Sequence, residues 1–160
     1  MNTGATARQS LVVFSLDEQR YAIPLEQVRN ALRMVAVTPV PEGPALLMGL
    51  IDLAGNVIPV IDTRARFQHP DREIRLSDQL LVVTTGRRTV ALWVDNTWGV
   101  LEVTEEHFVP AAQIVPGLDS LAGALKLPDG LILIHDLDRL LSLDDERSIE
   151  GIVSEARGVP

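Results

Sequence analysis

A block of fourteen residues recurs in this chain without a gap, and the recurrence restricts its possible folds more than any other feature. Gly49-Leu-Ile-Asp-Leu-Ala-Gly-Asn-Val-Ile-Pro-Val-Ile-Asp62 is matched by Gly123-Ala-Leu-Lys-Leu-Pro-Asp-Gly-Leu-Ile-Leu-Ile-His-Asp136 at a constant offset of 74. Each copy is an apolar run, a tight turn, a second apolar run and an aspartate. A short stretch of helical character follows, Thr63 to Phe67 in one copy and Leu137 to Leu141 in the other. Gly49, Asp62, Gly123 and Asp136 are therefore structural positions: two glycines open the units and two aspartates close them.

The flanking segments repeat as well. Leu11 to Leu16 and Tyr21 to Leu25 read as a hairpin across Asp17-Glu-Gln-Arg20, and Leu80 to Thr85 and Thr89 to Val94 read as a second across Gly86-Arg87-Arg88. Ala22 aligns with Ala91 at an offset of 69. Pro24 has no N–H for a ladder, which predicts an edge or a bulge there. Val28 to Val37 reads as a strand closed by the prolines of Thr38 to Pro44, Ala45 to Met48 as one helical turn, and Ala54-Gly55-Asn56 as a Gly-Asn hairpin turn. The polar stretch 68–79 is the natural connection between halves. The count is about ten short strands in two sets of five, and strands so short close into barrels to remove their edges. The expected fold is all-β, two five-stranded barrels with short helices. Residues 1–9 read as a disordered leader and 10–143 as the domain, with subdomains at about 10–67 and 79–143. Residues 144–160 read as a polar tail in which Ile149, Ile152 and Val153 are spaced for a short helix.

Charge and residue inventory exclude several functions. The net charge is −8, the wrong sign for displacing counterions from phosphates, so no nucleic-acid partner is expected. No apolar run reaches the length of a membrane span, and the N-terminus lacks the apolar core of a signal peptide. Cys is absent, which removes thiolate ligands and nucleophiles. His69, His107 and His135 lack metal-ligand spacing; the first two read as solvated loop residues and the third ends a strand. Neither G-x-S-x-G nor a phosphate-cradling glycine loop occurs. Asp62 and Asp136 could be a carboxylate pair for acid–base work, but their place before short helices favours N-capping. Arg87-Arg88 reads as a solvated turn, Trp93 as core, and Trp98 is open to either a buried or a surface role. No cofactor or metal is expected, and the empty catalytic inventory points to a binding scaffold.

Tyr21-Ala-Ile-Pro-Leu-Glu-Gln-Val28, Thr38-Pro-Val-Pro41, the Gly49 to Arg64 block and Trp93-Val-Asp95 resemble the CheW-like coupling domain of bacterial chemosensory systems, from about Leu11 to Ser142. The resemblance implies two intertwined SH3-like barrels. It also implies a non-enzymatic cytoplasmic adaptor at membrane-associated receptor arrays, without membrane insertion of its own. Its partners would be the CheW-like regulatory domain of a CheA-type histidine kinase and the cytoplasmic tip of methyl-accepting receptors, the latter in or near the groove between barrels. By the same resemblance, Val28, Asn30, Leu32, Leu53, Ala54, Gly55 and Arg64 are candidate partner-binding residues. The chain departs from the family pattern at three of the matched positions. Ala54 stands where an arginine is usual, Asp52 where an asparagine is usual, and Asn30 where an acid is common. Loss of that arginine removes a possible charge-assisted bond of about 1.5–3 kcal/mol. Other readings are a divergent scaffold for pilus motility or another two-component output, a small-ligand binder or enzyme using Asp52, Asp62 and the histidines, and a homodimer through a barrel edge.

Overall fold

A computed structural model of the chain describes residues 8–114 and 121–158. Eleven strands occur among these residues, and their order along the chain is not their order in space. They are β1 (Arg8–Leu16), β2 (Gln19–Pro24), β3 (Val28–Arg33), β4 (Leu47–Leu53), β5 (Asn56–Ile61), β6 (Gln79–Thr84), β7 (Thr89–Val94), β8 (Asn96–Thr104), β9 (Phe108–Pro110), β10 (Leu121–Leu127) and β11 (Gly130–His135). The helices are α1 (Thr63–Arg66), α2 (Ala111–Ile114) and α3 (Leu143–Gly158). One sheet runs β3-β6-β7-β5-β4 and the other β8-β1-β2-β11-β10-β9; we call these the first and second barrels. Each half of the sequence thus lends its opening hairpin to the other half's sheet.

The two joints of this exchange are equivalent. β5 pairs in parallel with β7 through Val60 and Ala91, and β11 with β2 through Ile134 and Ala22. Val60 and Ile134 are 74 apart, Ala22 and Ala91 are 69 apart, and these are the two sequence offsets. The bulges correspond as well. The β3–β6 register skips Arg29, between Val28↔Val83 and Asn30↔Val82. The β1–β8 register skips Trp98, between Phe14↔Thr97 and Val13↔Gly99. The opening glycines admit a crossing strand. A Cβ on Gly49 would collide with the Thr38 carbonyl, and one on Gly123 would lie 2.6 Å from the Val109 carbonyl oxygen and 2.6 Å from the Phe108 ring. On the first barrel the crossing chain makes only the isolated Thr38↔Leu50 bridge, and on the second it is a full strand, β9.

Three cores follow from the period of two along each strand. Leu80, Val82, Ala91 and Trp93 join Ile51, Ile58 and Val60 inside the first barrel, so all its inner strands point into one cluster. Leu11, Val13, Ala22, Leu125, Ile132 and Ile134 fill the second. The alternate residues Val12, Phe14, Tyr21, Ile23, Leu81, Val83, Val90 and Leu92 meet between the barrels. Strands β1, β6 and β7 are buried on both faces, which is why they read as unbroken apolar runs. Burial of each large side chain there is worth about 1.5–3 kcal/mol.

Several expectations need correction. The first strand starts at Arg8, inside the predicted leader, whose residues 1–7 lie outside the described residues. Pro24 is the last residue of a central strand, so its missing N–H falls where the ladder ends. Strand β3 stops at Arg33, short of Val37. The turn foreseen at Ala45 to Met48 gives way to β4 from Leu47, whose residues enter the core. The 54–56 turn is Ala54-Gly55, both left-handed at φ 52° and 87°, and Asn56 already belongs to β5. The 144–160 tail is mostly α3, a 16-residue helix that buries Ile149 and Val153 against the central core. Ser142 and Asp145 cap it reciprocally, Ser142 Oγ accepting from the Asp145 amide at 3.1 Å. Part of the predicted loop before the second unit, 115–120, lies outside the described residues.

Candidate functional site

The first barrel opens at one end into a cavity of about 670 Å³. Asn30 from β3, Val82 from β6, Thr89 from β7, Ile58 from β5, Leu53 at the end of β4 and Ala54 in the β4–β5 turn are among its lining residues. The tight turn holds Ala54 at this rim: Asp52 Oδ1 accepts from the Gly55 amide at 2.9 Å. Arg29, Arg87, Arg88 and Glu150 are its charged lining residues. The turn pair Arg87-Arg88, read from sequence as solvated, divides here. Arg87 is exposed, whereas Arg88 donates to Glu146 at 2.8 Å and to Glu150 at 2.9 Å and fastens α3 beside the cavity.

The structure thus gathers Asn30, Leu53 and Ala54 at one mouth, with Gly55 in the adjoining turn. Val28 and Leu32 lie on the same strand as Asn30, but pack toward the central core and the first barrel's core. Arg64 is placed elsewhere. Its side chain is 2% exposed and donates to Asp95 Oδ1 at 2.8 Å, Asp17 Oδ1 at 2.5 Å and the Pro70 carbonyl at 3.0 Å. Contrary to its assignment as a contact residue, its donors all turn inward, where they tie α1 to the β1–β2 turn.

Arg64 belongs to a largely buried ionic network that also runs through the connection between halves, 68–79. Arg72 binds Asp78 in a fork at 2.8 and 2.9 Å and reaches Asp95 at 2.6 Å. Asp78 also accepts from the Arg75 amide at 2.8 Å and from the Trp93 indole at 2.9 Å. Burial alone would raise the Asp78 carboxyl, but those donors, Arg72 foremost, hold it below the ordinary value. Beside this network His69, foreseen as a solvated loop residue, donates to Asp17 Oδ2 at 3.0 Å and shares a 2.5 Å hydrogen bond with the Tyr21 hydroxyl. Arg64 first, then His69, lowers the Asp17 pKa; burial, reinforced by the Asp17 charge, pushes Tyr21 up to about 12.

The structural aspartates each cap the short helix that follows them. Asp62 Oδ1 accepts from the Ala65 amide at 3.0 Å, and Asp136 Oδ1 from the Asp138 amide at 3.0 Å. Among the described residues no group of three or more His, Cys, Asp or Glu could hold a metal ion. No helix among them is long and apolar enough to cross a membrane.

The second barrel opens at the equivalent end into a cavity of about 560 Å³ lined by Val13, Trp98, Gly99, Leu127, Pro128 and Ile132, among others. Trp98 stands where the first mouth has Arg29, Gly99 where it has Asn30, and Pro128 where it has Ala54, at the same two offsets. Its lining is mostly apolar, with Trp98 63% and Val100 58% exposed, and its one charged pair, Arg20 and Asp129, is joined at 3.2 Å. Trp93, by contrast, is core. What the sequence reading missed at the first mouth was Arg29 and Arg88. Their convergence follows from the exchange of hairpins, which carries the β6–β7 turn to the end of the first barrel where the β3 bulge lies.

Comparison with known proteins agrees with this geometry. Residues 10–145 match the family model described as the CheW-like domain. The chain is 26% identical over 151 residues to the chemotaxis protein CheW of Klebsiella aerogenes, covering 93% of this chain and 91% of that one. It is 27% identical to CheW of Bacillus subtilis over 154 residues, 95% and 93% of the two chains. Among solved structures, the scaffolding protein TtCheW from Thermoanaerobacter tengcongensis superposes with a TM-score of 0.79 at 28% identity, over 87% of this chain and 96% of that one.

Proposed function

Because this chain belongs to the CheW-like domain family, we propose that it is a chemotaxis adaptor that joins methyl-accepting receptors to a CheA-type histidine kinase by contact alone, without catalysing a reaction. The observation that carries the reading is the convergence of Asn30, Leu53 and Ala54 on one concave barrel end. Signal passage through such a protein needs only surfaces whose occupancy shifts the partners' populations. A receptor helix can lay one face along an opening of this kind. The kinase partner would be its CheW-like regulatory domain, and the site of action the cytoplasmic face of receptor arrays.

A second reading is favoured by Asn30 and Ala54. Both positions depart from the family pattern and both line the same cavity, so the receptor class served would differ from that of the usual coupling protein, as in a pilus-motility or other two-component pathway. The test is titration of the purified chain with the kinase regulatory domain and with receptor cytoplasmic fragments. Saturable binding to both is expected; no binding to either up to about 100 μM, weaker than about −5.5 kcal/mol, overturns the adaptor reading.

A further inference from the structure

The mouth of the first barrel is cationic in an otherwise acidic molecule. The chain carries a net charge of −8, yet three arginines and one glutamate line this cavity. Arg88 is committed to Glu146 and Glu150. Arg29 and Arg87 have no carboxylate partner among the described residues. Arg29 is the extra residue of the β3 bulge, and its Nε donates to Thr84 Oγ1 at 2.6 Å. That bond fixes the arm of the guanidinium and leaves its two terminal nitrogens free to bind. The Arg87 amide is held by Thr85 Oγ1 at 3.2 Å, which sets the turn from which its side chain leaves. Asn30 and Ala54 add no charge to the wall, so neither competes for an incoming anion. The equivalent mouth of the second barrel shows that the fold does not require such a surface, since Trp98 replaces Arg29 there.

We propose that Arg29 and Arg87 make this mouth a seat for carboxylate side chains on the receptor helix, and so select acidic receptor tips. The proposal rests on the adaptor reading and adds the chemistry of the partner to it. Two guanidinium groups without a carboxylate partner at the rim of a concave site can each donate to a carboxylate of an incoming helix in a forked, charge-assisted contact. Attraction at such a rim is screened by salt and governs which partner is admitted.

The test uses the full chain, a soluble cytoplasmic fragment of a methyl-accepting receptor from the same genome, and the kinase regulatory domain. Affinities are measured by calorimetry at about 50 and about 300 mM salt, a range over which the screening length shortens by more than half. The R29A/R87A variant should bind the receptor fragment about tenfold or more weakly and show a flatter salt dependence, and R29E/R87E should lose it further. Binding to the kinase domain should stay within about twofold of wild type, as should the control R147A on both partners. Wild-type receptor affinity and salt slope in R29E/R87E overturn the proposal, as does an equal loss toward both partners in a folded variant. A wild-type chain that binds neither partner instead overturns the adaptor reading itself.

Discussion

Where the bulge of the first barrel projects Arg29, the bulge of the second projects Trp98, from positions 69 residues apart in sequence and equivalent in register. The backbone at the two mouths is the same device used twice, yet one rim is cationic and the other mostly apolar with a self-neutralised Arg20–Asp129 pair. A similar divergence marks the anchors that tie each short helix to its hairpin turn. Arg64 on α1 binds the Asp17 carboxylate in the β1–β2 turn, whereas Asp138, 74 residues on, accepts from the Gly86 amide in the β6–β7 turn at 2.6 Å. The contact positions are conserved between the halves while the chemistry is not. Strand pairing here depends on glycines, alternation and caps, so it tolerates such changes at the rim.

The network around Asp78 has no counterpart of its kind described in the second barrel, and its loss should have the largest effect. Asp78→Ala removes the forked contact to Arg72, which keeps Asp95, and leaves the buried Trp93 indole N–H without its acceptor, and should cost about 3–5 kcal/mol in denaturant unfolding. The anchors should separate next. Arg64→Ala removes charge-assisted bonds to Asp17 and Asp95 at a buried position, though Asp95 keeps Arg72, and should cost about 3 kcal/mol, whereas Asp138→Ala removes one exposed bond and should cost about 1 kcal/mol. Equal losses would mean that the two anchors differ only in appearance. Gly49→Ala and Gly123→Ala should each destabilise by about 1–3 kcal/mol through overpacking against the crossing chain. The Gly49 variant should suffer more, because Thr38 backbone blocks it while part of the obstruction at Gly123 is the Phe108 side chain.

Acid should probe the first anchor selectively. The Asp78 and Asp17 pKa values lie below 3.8 in the folded chain, so their stabilisation is intact above about pH 4 and fades as pH falls through the depressed values. Asp78→Asn should flatten the pH dependence of stability in that range, while Asp138→Ala leaves it in place. Asp17 is 43% exposed, so solvent screens its share. The smallest effect is at the cap of α3, where Ser142→Ala should cost about 1 kcal/mol in thermal unfolding.

The doubling of the fold was legible in the sequence because its marks are local. A glycine that admits a crossing backbone and an aspartate that caps a helix must fall at fixed places in each unit, so Gly49/Gly123 and Asp62/Asp136 share one offset. The exchange of hairpins was implied by resemblance alone, since nothing near Ala22 or Ala91 shows that each pairs with the other half. The cavity residues were half legible. Asn30, Leu53 and Ala54 follow from motif positions, but Arg64 belongs to the same motif and is turned inward by Asp17 and Asp95, acids 47 and 31 residues away. Arg88 was read as part of a solvated turn because its partners lie on α3, which the sequence marks only by three apolar residues in a polar tail.

Light scattering on a size-exclusion column, with the chain, the receptor fragment and the kinase regulatory domain mixed at equal concentration, tests the adaptor account most directly. The account predicts a complex with the mass of all three, and receptor-free chain–kinase complex when R29E/R87E replaces the wild type. Three separate peaks from the wild-type mixture would contradict it.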